Sequence, residues 1–220
     1  MATSGSGARA TESVILVLAA WEPELERFHS LAGQARLSAS TSCARVVVAA
    51  AGIGLVDAAI GTSVALSIHA PSRVVLLGTC GASPASGLAI EDVITGTSVR
   101  LVDAAVVEGR AAMPFANDPL VLASSLGDVP LAGARAATIA NTVGVTTDDR
   151  LAAELASYGD VEHLEAYGVA RACQLAGVPC TVLLAVANVV GARGREAWRA
   201  NHVAASARAA EIAWAALERL

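Results

Sequence analysis

The sequence predicts a single α/β domain, built as a three-layer α/β/α sandwich around a mixed, largely parallel central sheet. Short apolar runs rich in β-branched residues alternate with alanine-rich segments of helical length along the 220 residues. Hydrophobic residues make up 55% of the chain and charged residues only 16%, a balance typical of a buried sheet covered by helices. We expect one domain over residues 14–220, preceded by a disordered tail over residues 1–13.

Five apolar runs are predicted to form buried strands, because each is short and contains β-branched residues. These runs cover residues 14–20, 46–51, 73–78, 92–99 and 181–187.

Alanine-rich segments of helical length lie between and after the predicted strands. Pro23 and Asp148 favour helix starts, and Gly177, two residues before a proline, marks a helix end. The region 101–131 predicts irregular strand and loop, with a short helix near Leu120. The predicted helices cover residues 23–32, 55–70, 148–156, 162–176 and 195–217.

The composition excludes several partners and reaction classes. All 15 basic residues are arginine, which excludes mechanisms that need a Walker lysine or a Schiff-base lysine. A net charge of -5 without an arginine-rich, aromatic-containing stretch argues against nucleic acid as a partner. The apolar runs are shorter than the roughly 18 residues that span a bilayer, and residues 1–13 lack the apolar core of a secretory signal. We therefore expect a cytoplasmic protein that binds a small molecule and has no membrane partner.

The four cysteines Cys43, Cys80, Cys173 and Cys180 are widely spaced and form no C-x-x-C pair. This spacing predicts neither a disulfide framework nor a zinc site, so the thiols are expected to be reduced and mostly buried. No metal and no cofactor are expected.

Three small-residue turns follow predicted strands, where ligands bind in sheets of this type. Backbone amides in such turns can bind ligand oxygen atoms, although tight packing of the next helix also explains the glycines. The first turn lacks the third glycine of the dinucleotide fingerprint, because Asp57 stands there. The turns are Gly52-Ile53-Gly54, Gly78-Thr79-Cys80-Gly81 and Ala187-Asn188.

Three glutamates are candidate site residues. Glu162 and Glu165 lie three residues apart in VEHLE, a spacing that places both on one face of the predicted helix. Glu24 follows the first predicted strand. Each carboxylate can complement a helix dipole or face a ligand across the strand ends, and the residues alone leave both interpretations open.

Six segments, five of which contain these residues, follow one another along the chain: AAWEPEL, AGIGLVDAAIGTS, LLGTCGA, GLAIEDVI, VEHLEAYGVARACQLAGVP and AVANVVGARGREAW. In this order they resemble the nucleoside phosphorylase superfamily, and within it the nucleosidases that act on methylthioadenosine, S-adenosylhomocysteine and futalosine. The resemblance implies a nucleoside phosphorylase-like fold, a purine nucleoside as the small-molecule partner, and a homodimer or higher homo-oligomer.

The resemblance implies a role for each matching residue. Glu165 matches the carboxylate that holds the ribose 2′- and 3′-hydroxyls, and Leu164 stands where a methionine usually lies beneath the sugar. Glu24 matches the glutamate that orients and deprotonates the attacking water. Thr79 is assigned to the water or a ribose hydroxyl. Glu162 and Gly81 are assigned to the surroundings of the base.

Asn188 stands where adenine-specific members carry an aspartate that protonates the purine. An asparagine cannot donate that proton, but its amide can hydrogen-bond a ring nitrogen and a 6-oxo group, which favours hypoxanthine or guanine. The stretch NVVGARGREAW, with Arg195 and Trp198, is most similar to the futalosine hydrolases of the menaquinone route, which release hypoxanthine from a 5′-modified nucleoside. Trp198 is a candidate for stacking on the base, and core packing explains it equally well.

The sequence departs from the family pattern at several positions. Leu184 replaces a usual arginine, Ala187 replaces a common serine, and Ala166-Tyr167-Gly168 replaces Gly-Ala-Ala. Phosphorylases of the superfamily also carry a phosphate-binding arginine where this chain has Leu76 and Leu77, so water is the predicted nucleophile.

The favoured hypothesis is a nucleosidase that hydrolyses the N-glycosidic bond of a 5′-modified 6-oxopurine nucleoside. A purine nucleoside phosphorylase and a methylthioadenosine or adenosylhomocysteine nucleosidase keep the fold but differ in phosphate dependence or base preference. A nucleoside-binding protein without catalysis would bind and release no product. An unrelated α/β domain would carry these glycines and glutamates for structural reasons alone.

Overall fold

A computed structural model describes residues 13–37 and 44–220 of the chain. The predicted tail lies outside the described residues except for Ser13, which begins the first strand, and Cys43 also lies outside them. In the part of the chain that is described, no helix is both long enough and apolar enough to cross a membrane.

The strands of the described residues form one mixed eight-stranded sheet and a separate two-stranded sheet. The strands are β1 (Ser13–Ala19), β2 (Ala44–Ala50), β3 (Arg73–Ala82), β4 (Val93–Leu101), β5 (Leu120–Val121), β6 (Ser125–Leu126), β7 (Val129–Pro130), β8 (Arg135–Asn141), β9 (Val161–His163) and β10 (Cys180–Val189). Strands β6 and β7 form the small sheet.

The large sheet is mostly parallel and closes on itself at one end. Its strand order is β2-β1-β3-β10-β4-β8-β9, with β5 paired to β4 and β9 paired back onto β3. The β10–β4, β3–β9 and β4–β5 pairs are antiparallel, and the other pairs are parallel. The closure occurs at Gly81 and Ala82, because the first half of β3 pairs with β1 and only its carboxyl end meets β9.

Helices cover both faces of the sheet, and the alternation of strands and helices predicts this arrangement correctly. The helices are α1 (Glu26–Leu37), α2 (Leu55–His69), α3 (Ala104–Val107), α4 (Asp149–Leu155), α5 (Ala166–Ala176) and α6 (Gly194–Leu217). Apolar residues of α2 and α5 pack on one face of the sheet, and those of α1 and α6 pack on the other. The result is a three-layer α/β/α sandwich.

Strand β3 shows why its sequence is a continuous apolar run. Val74 and Leu76 belong to the core beneath α2 and α5, whereas Val75 and Leu77 belong to the core beneath α1 and α6. Successive side chains of a strand point to opposite faces, so a strand covered on both sides needs apolar residues at every position. All four side chains are 0–1% exposed.

The predicted helix ends agree with the structure in two places. The Asp148 side chain caps α4 by accepting a hydrogen bond from the Leu151 amide at 2.8 Å. Gly177 ends α5 with a φ of +67°, a left-handed conformation that glycine adopts without strain. Cys80, Cys173 and Cys180 are free and buried, as predicted.

The predicted helix over 162–176 was wrong at its start. Val161–His163 is strand β9, which pairs with β8 and β3, and α5 begins only at Ala166. Glu162 and Glu165 therefore do not share a helix face. A three-residue strand is too short for a periodic pattern, and its pairing with distant strands decides its conformation.

Three further predictions needed correction. Leu120 lies in β5, and the short helix of this region is α3, which Asp103 caps with its side chain. The helix predicted from residue 23 begins as a 3₁₀ turn over Glu22–Leu25. Strand β8 was not predicted at all, because its sequence RAATIAN is rich in alanine and becomes a strand through parallel pairing with β4.

Candidate active site

A cleft of about 610 Å³ lies beyond the carboxyl ends of β1, β3 and β10. The turn between β9 and α5 and the first turns of α6 complete its wall. The cleft contains every residue that the sequence analysis assigned to a site. Its lining residues are Ala20, Trp21, Glu24, Ile53, Thr79, Cys80, Gly81, Val145, Glu162, His163, Leu164, Glu165, Asn188, Gly194, Arg195, Trp198 and Arg199.

Glu24 lies in the 3₁₀ turn after β1 and is 7% exposed. Its Oε1 atom accepts a hydrogen bond from the Thr79 amide at 3.0 Å and another from the Thr79 hydroxyl at 2.8 Å. A Cβ atom at Gly78 would lie 3.2 Å from the second carboxylate oxygen. The glycine before Thr79 therefore makes room for this carboxylate.

The surroundings of Glu24 favour its protonated form. Its pKa is raised to about 7, mainly because burial disfavours the charged carboxylate. The hydrogen bonds from Thr79 act in the opposite direction, and repulsion by Glu165 raises the pKa. A carboxyl group with a pKa near neutrality is suited to accept a proton during a reaction at physiological pH.

Glu165 precedes α5 at the N-cap position, where its side chain makes no capping bond, and it is also buried, at 6% exposed. Its Oε1 atom accepts a hydrogen bond from the Gly54 amide at 2.7 Å. The Gly52-Ile53-Gly54 turn thus uses one backbone amide to hold a carboxylate of the protein. Gly54 has a φ of +84°, so a side chain at this position would be strained.

His163 is a buried neighbour of Glu165 that the sequence analysis did not select. Its Nδ1 atom accepts hydrogen bonds from the amides of Glu165 and Ala166 at 3.1 and 3.0 Å, so it carries no proton. The 3.3 Å contact between this atom and Glu165 Oε2 is consequently no ion pair. Burial lowers the pKa of His163, which agrees with a neutral ring. The ring orients the backbone at the start of α5 and with it Glu165.

Asn188 is 8% exposed and lies where the pairing of β10 with β3 shifts its register. Its Nδ2 atom donates a hydrogen bond to the Val189 carbonyl at 3.0 Å, which fixes the orientation of the amide. A Cβ atom added at Gly81 would lie 2.9 Å from Asn188 Nδ2, and one added at Gly194 would lie 3.1 Å from the same atom. Both glycines therefore leave space for the amide, and this is the structural role of Gly81.

Glu162 lines the cleft from β9 and is held by threonines. Its Oε1 atom accepts hydrogen bonds from the hydroxyls of Thr142 and Thr146 at 2.8 and 2.6 Å, and from the Thr146 amide at 3.2 Å. This carboxylate ties the segment after β8 to the cleft. Leu164 lies nearby, and its carbonyl accepts a hydrogen bond from Asn141 at 3.0 Å.

Trp198 lines the cleft from α6, and its indole N–H donates a hydrogen bond to the Thr79 hydroxyl at 3.0 Å. The His202 ring stacks on it with a centroid separation of 4.3 Å and an interplanar angle of 18°. The centroid of the Trp21 ring lies 6.3 Å from that of Trp198 and 6.0 Å from that of His202. Trp198 is thus held by packing and by a hydrogen bond at the same time.

Arg195 and Arg199 lie one turn apart on α6 and are exposed at the rim of the cleft. Within the described residues neither guanidinium group has a carboxylate partner at ion-pair distance. Sequence reasoning selected Arg195 through its motif and missed Arg199, although the spacing of four residues in a helix was a usable signal.

The departures from the family pattern lie away from the cleft lining. Leu184 and Ala187 are 0% exposed within β10 and belong to the cores on the two faces of the sheet. A Cβ atom at Gly168 would lie 2.6 Å from the Leu55 carbonyl oxygen, so this glycine allows α5 to pack closely against α2. These substitutions change the packing behind the site.

Comparison with known proteins agrees with this architecture. The chain is 26% identical over 194 residues, or 80% of its length and 81% of the relative, to a 5′-methylthioadenosine/S-adenosylhomocysteine nucleosidase of Halalkalibacterium halodurans. A futalosine hydrolase structure from Helicobacter pylori superposes with a TM-score of 0.80 at 18% identity, covering 95% of this chain and 99% of that chain. The chain is thus similar to nucleosidases in sequence and shares the fold of nucleosidases of known structure.

Other nucleosidases of known structure have the same fold. The 5′-methylthioadenosine/S-adenosylhomocysteine nucleosidase of Helicobacter pylori superposes with a TM-score of 0.80 at 17% identity, covering 95% and 99% of the two chains. The corresponding enzyme of Neisseria meningitidis gives a TM-score of 0.76 at 20% identity, covering 94% and 100%. No protein-family model matches the chain. The chain therefore shares the fold of these nucleosidases at low sequence identity.

Proposed function

We propose that this protein hydrolyses the N-glycosidic bond of a 5′-modified 6-oxopurine nucleoside, as a futalosine hydrolase does. Its relatives are nucleosidases, and the chain is an enzyme of this N-glycosyl hydrolase type. The proposal that the substrate is a 6-oxopurine nucleoside rests on the arrangement of Glu24 and Asn188 in one cleft. A carboxyl group with a pKa near 7 is paired there with an amide that cannot donate an acidic proton.

Water is the proposed nucleophile because the inner part of the cleft is unsuited to phosphate. Glu24 and Glu165 are both buried there, and the charge of Glu165, together with that of Glu24 whenever it is ionised, would repel a dianion. Leu76 and Leu77, which replace the phosphate-binding arginine of phosphorylases, are buried in the two cores. The arginines of the cleft, Arg195 and Arg199, lie exposed at its rim.

In the proposed reaction, the bond between ribose C1′ and purine N9 lengthens until the sugar carries positive charge. Glu165 holds the ribose hydroxyls, and Glu24 takes a proton from the water whose oxygen bonds to C1′. The departing purine keeps the electron pair of the broken bond. The Asn188 amide stabilises that developing charge with the N–H that is not used by Val189.

The arginines at the rim support a 5′-substituent that carries a carboxylate. Two guanidinium groups that have no carboxylate partner among the described residues can bind a ligand carboxylate through paired hydrogen bonds. We therefore expect a carboxylate-bearing nucleoside to be a better substrate than a neutral one with the same base.

The proposal is tested by incubating the purified protein with inosine, futalosine, methylthioadenosine and adenosylhomocysteine, each with and without phosphate. We expect hypoxanthine from futalosine in the absence of phosphate. Adenine released faster from methylthioadenosine would support the second candidate, a methylthioadenosine or adenosylhomocysteine nucleosidase, which the relative from Halalkalibacterium halodurans favours. Ribose 1-phosphate as a product would contradict hydrolysis.

The role of Asn188 is tested by Asn188→Asp. A protonated aspartate can donate a proton to N7 of an adenine leaving group, whereas an ionised one repels a 6-oxo group. We expect the ratio of kcat/KM for 6-amino over 6-oxo nucleosides to rise by about tenfold, equal to about 1.4 kcal/mol. An unchanged ratio would remove Asn188 from base recognition.

A homo-oligomer remains part of the proposal. Val56, Ile60, Val64 and Ile68 are 52–68% exposed and recur every four residues on α2, so they form one apolar stripe. Ile53, which lines the cleft, lies beside the start of this helix and is 62% exposed. An apolar face of this kind is typical of an interface. Light scattering should give the mass of a dimer or larger assembly, and Ile60→Glu should lower it.

A further inference from the structure

A chain of two hydrogen bonds connects the aromatic wall of the cleft to Glu24. The indole N–H of Trp198 donates to the Thr79 hydroxyl oxygen at 3.0 Å, and that hydroxyl donates to Glu24 Oε1 at 2.8 Å. The directions of both bonds follow from the chemistry of the groups. An indole nitrogen can only donate, so the Thr79 oxygen must accept from it and its own proton is available for the carboxylate.

The structure holds Trp198 firmly in this position. His202 stacks on its ring at 4.3 Å, and the His202 Nδ1 atom lies 3.1 Å from the Trp198 carbonyl, one helical turn earlier. The Trp198 side chain also packs against the core beneath α6. Thr79 is 8% exposed, so its hydroxyl has few other partners. The donor to Thr79 is therefore placed by contacts within the protein scaffold.

We propose that Trp198 is a positioning residue, which directs the proton of the Thr79 hydroxyl onto Glu24 Oε1 and so stabilises the ionised carboxylate. A hydroxyl that accepts a hydrogen bond becomes a stronger donor, because bonds in a chain polarise one another. This role rests on the proposed function only in assigning Glu24 to water activation. The hydrogen-bond chain itself is independent of the substrate.

Other titratable or charged groups also surround Glu24, and the test must separate their effects from that of Trp198. The carboxylate of Glu165 opposes the ionised form, whereas the Thr79 bonds favour it. Trp198→Phe removes none of these groups and keeps an aromatic ring for His202 to stack on. The groups that line the cleft with Glu24 are Cys80 on β3, Glu162 and His163 on β9, Glu165 at the start of α5, and Arg195 and Arg199 on α6, and His202 stacks on Trp198.

The test compares Trp198→Phe with Trp21→Phe, which alters the same aromatic cluster but removes no bond to Thr79. For Trp198→Phe we expect the acid limb of kcat/KM to move to higher pH, with a loss of about threefold at pH 6 that shrinks by pH 9. KM at pH 9 should change by less than kcat/KM at pH 6. Trp21→Phe should leave the position of the limb unchanged.

A double-mutant cycle decides whether Trp198 acts through Thr79. Thr79→Val removes the hydroxyl, and we expect a loss of about tenfold at pH 6 from the missing bond to the carboxylate. Adding Trp198→Phe to Thr79→Val should cause no further movement of the limb. Independent, additive movements would overturn the proposal.

A second readout keeps this inference separate from the proposed function. The ionisation of Glu24 can be followed by NMR of its ¹³C-labelled carboxyl carbon without any substrate. Movement of this titration to higher pH in Trp198→Phe but not in Trp21→Phe would support the hydrogen-bond chain, even if no nucleoside were cleaved. An unchanged titration in Trp198→Phe would overturn it, even if nucleosides were cleaved.

Discussion

Glu24 and Glu162 line the same cleft, but the protein surrounds them in opposite ways. Glu162 accepts hydrogen bonds from two threonine hydroxyls and one amide, so its charge is well compensated. Glu24 accepts from Thr79 alone among the side chains, is buried, and is repelled by the charge of Glu165. A buried carboxylate with few donors is held ready to take up a proton, whereas one with several donors serves to hold structure together.

The difference follows from the elements that carry the two residues. Glu162 belongs to β9, and its partners Thr142 and Thr146 lie in the segment that follows the neighbouring strand β8. Glu24 belongs to a 3₁₀ turn that is pressed against the backbone of β3. The position beside β3 removes water from the carboxylate but offers few donors, which is the physical origin of its raised pKa.

Glu24→Gln is the most direct test of the difference between the two carboxylates. The amide keeps the shape and can still accept from Thr79, but it cannot take a proton from water. We expect kcat to fall by about 10³-fold with KM changed less than threefold, measured by the release of free purine. Glu26→Gln, an exposed neighbour on α1, is the control and should retain full activity. A kcat within tenfold of the native value would remove Glu24 from the chemistry.

The same substitution should increase stability above neutral pH. The folded protein retains a proton on Glu24 between pH 4.5 and about 7, where the unfolded chain has already released it. The free energy of unfolding therefore falls as pH rises through this window and levels off above it. A glutamine at this position does not ionise, so the variant does not lose this stability. We expect Glu24→Gln to be more stable by about 3 kcal/mol at pH 8 and little different at pH 4, from urea unfolding at both pH values. A gain of equal size at both pH values would contradict the raised pKa.

Glu162→Gln should show the opposite behaviour. Loss of the charge weakens the bonds from Thr142 and Thr146, so we expect a loss of about 1–2 kcal/mol in the free energy of unfolding at pH 7. Thr146→Val, which removes one of these donors, should give a similar loss and serves as the matched variant. A fall of more than 10²-fold in kcat without a change in stability would instead place Glu162 in the reaction.

Much of the architecture could be predicted from the pattern of residues. The long buried strands, such as β3 and β10, are continuous apolar runs because both of their faces are covered. The helix ends at Asp148 and Gly177 were predictable because capping depends on residues close in the sequence. The candidate site residues also all line one cleft, since turns after parallel strands meet at one edge of the sheet.

The short strands and the partners of each carboxylate could not be predicted in the same way. Strand β9 has three residues, and β8 is rich in alanine, so both depend on pairing with strands far away in the sequence. The sequence does not show that the Gly54 amide binds Glu165, 111 residues later, or that Trp198 reaches Thr79, 119 residues before it.

The sequence by itself determined the layers of this protein, the order of its long elements and the set of side chains available for chemistry, because these depend on local periodicity and composition. Only the tertiary structure decided which glutamate is buried with few donors and which is held by several. That distinction depends on the water excluded and the donors supplied by distant segments, and so does the chemistry that each carboxylate can perform.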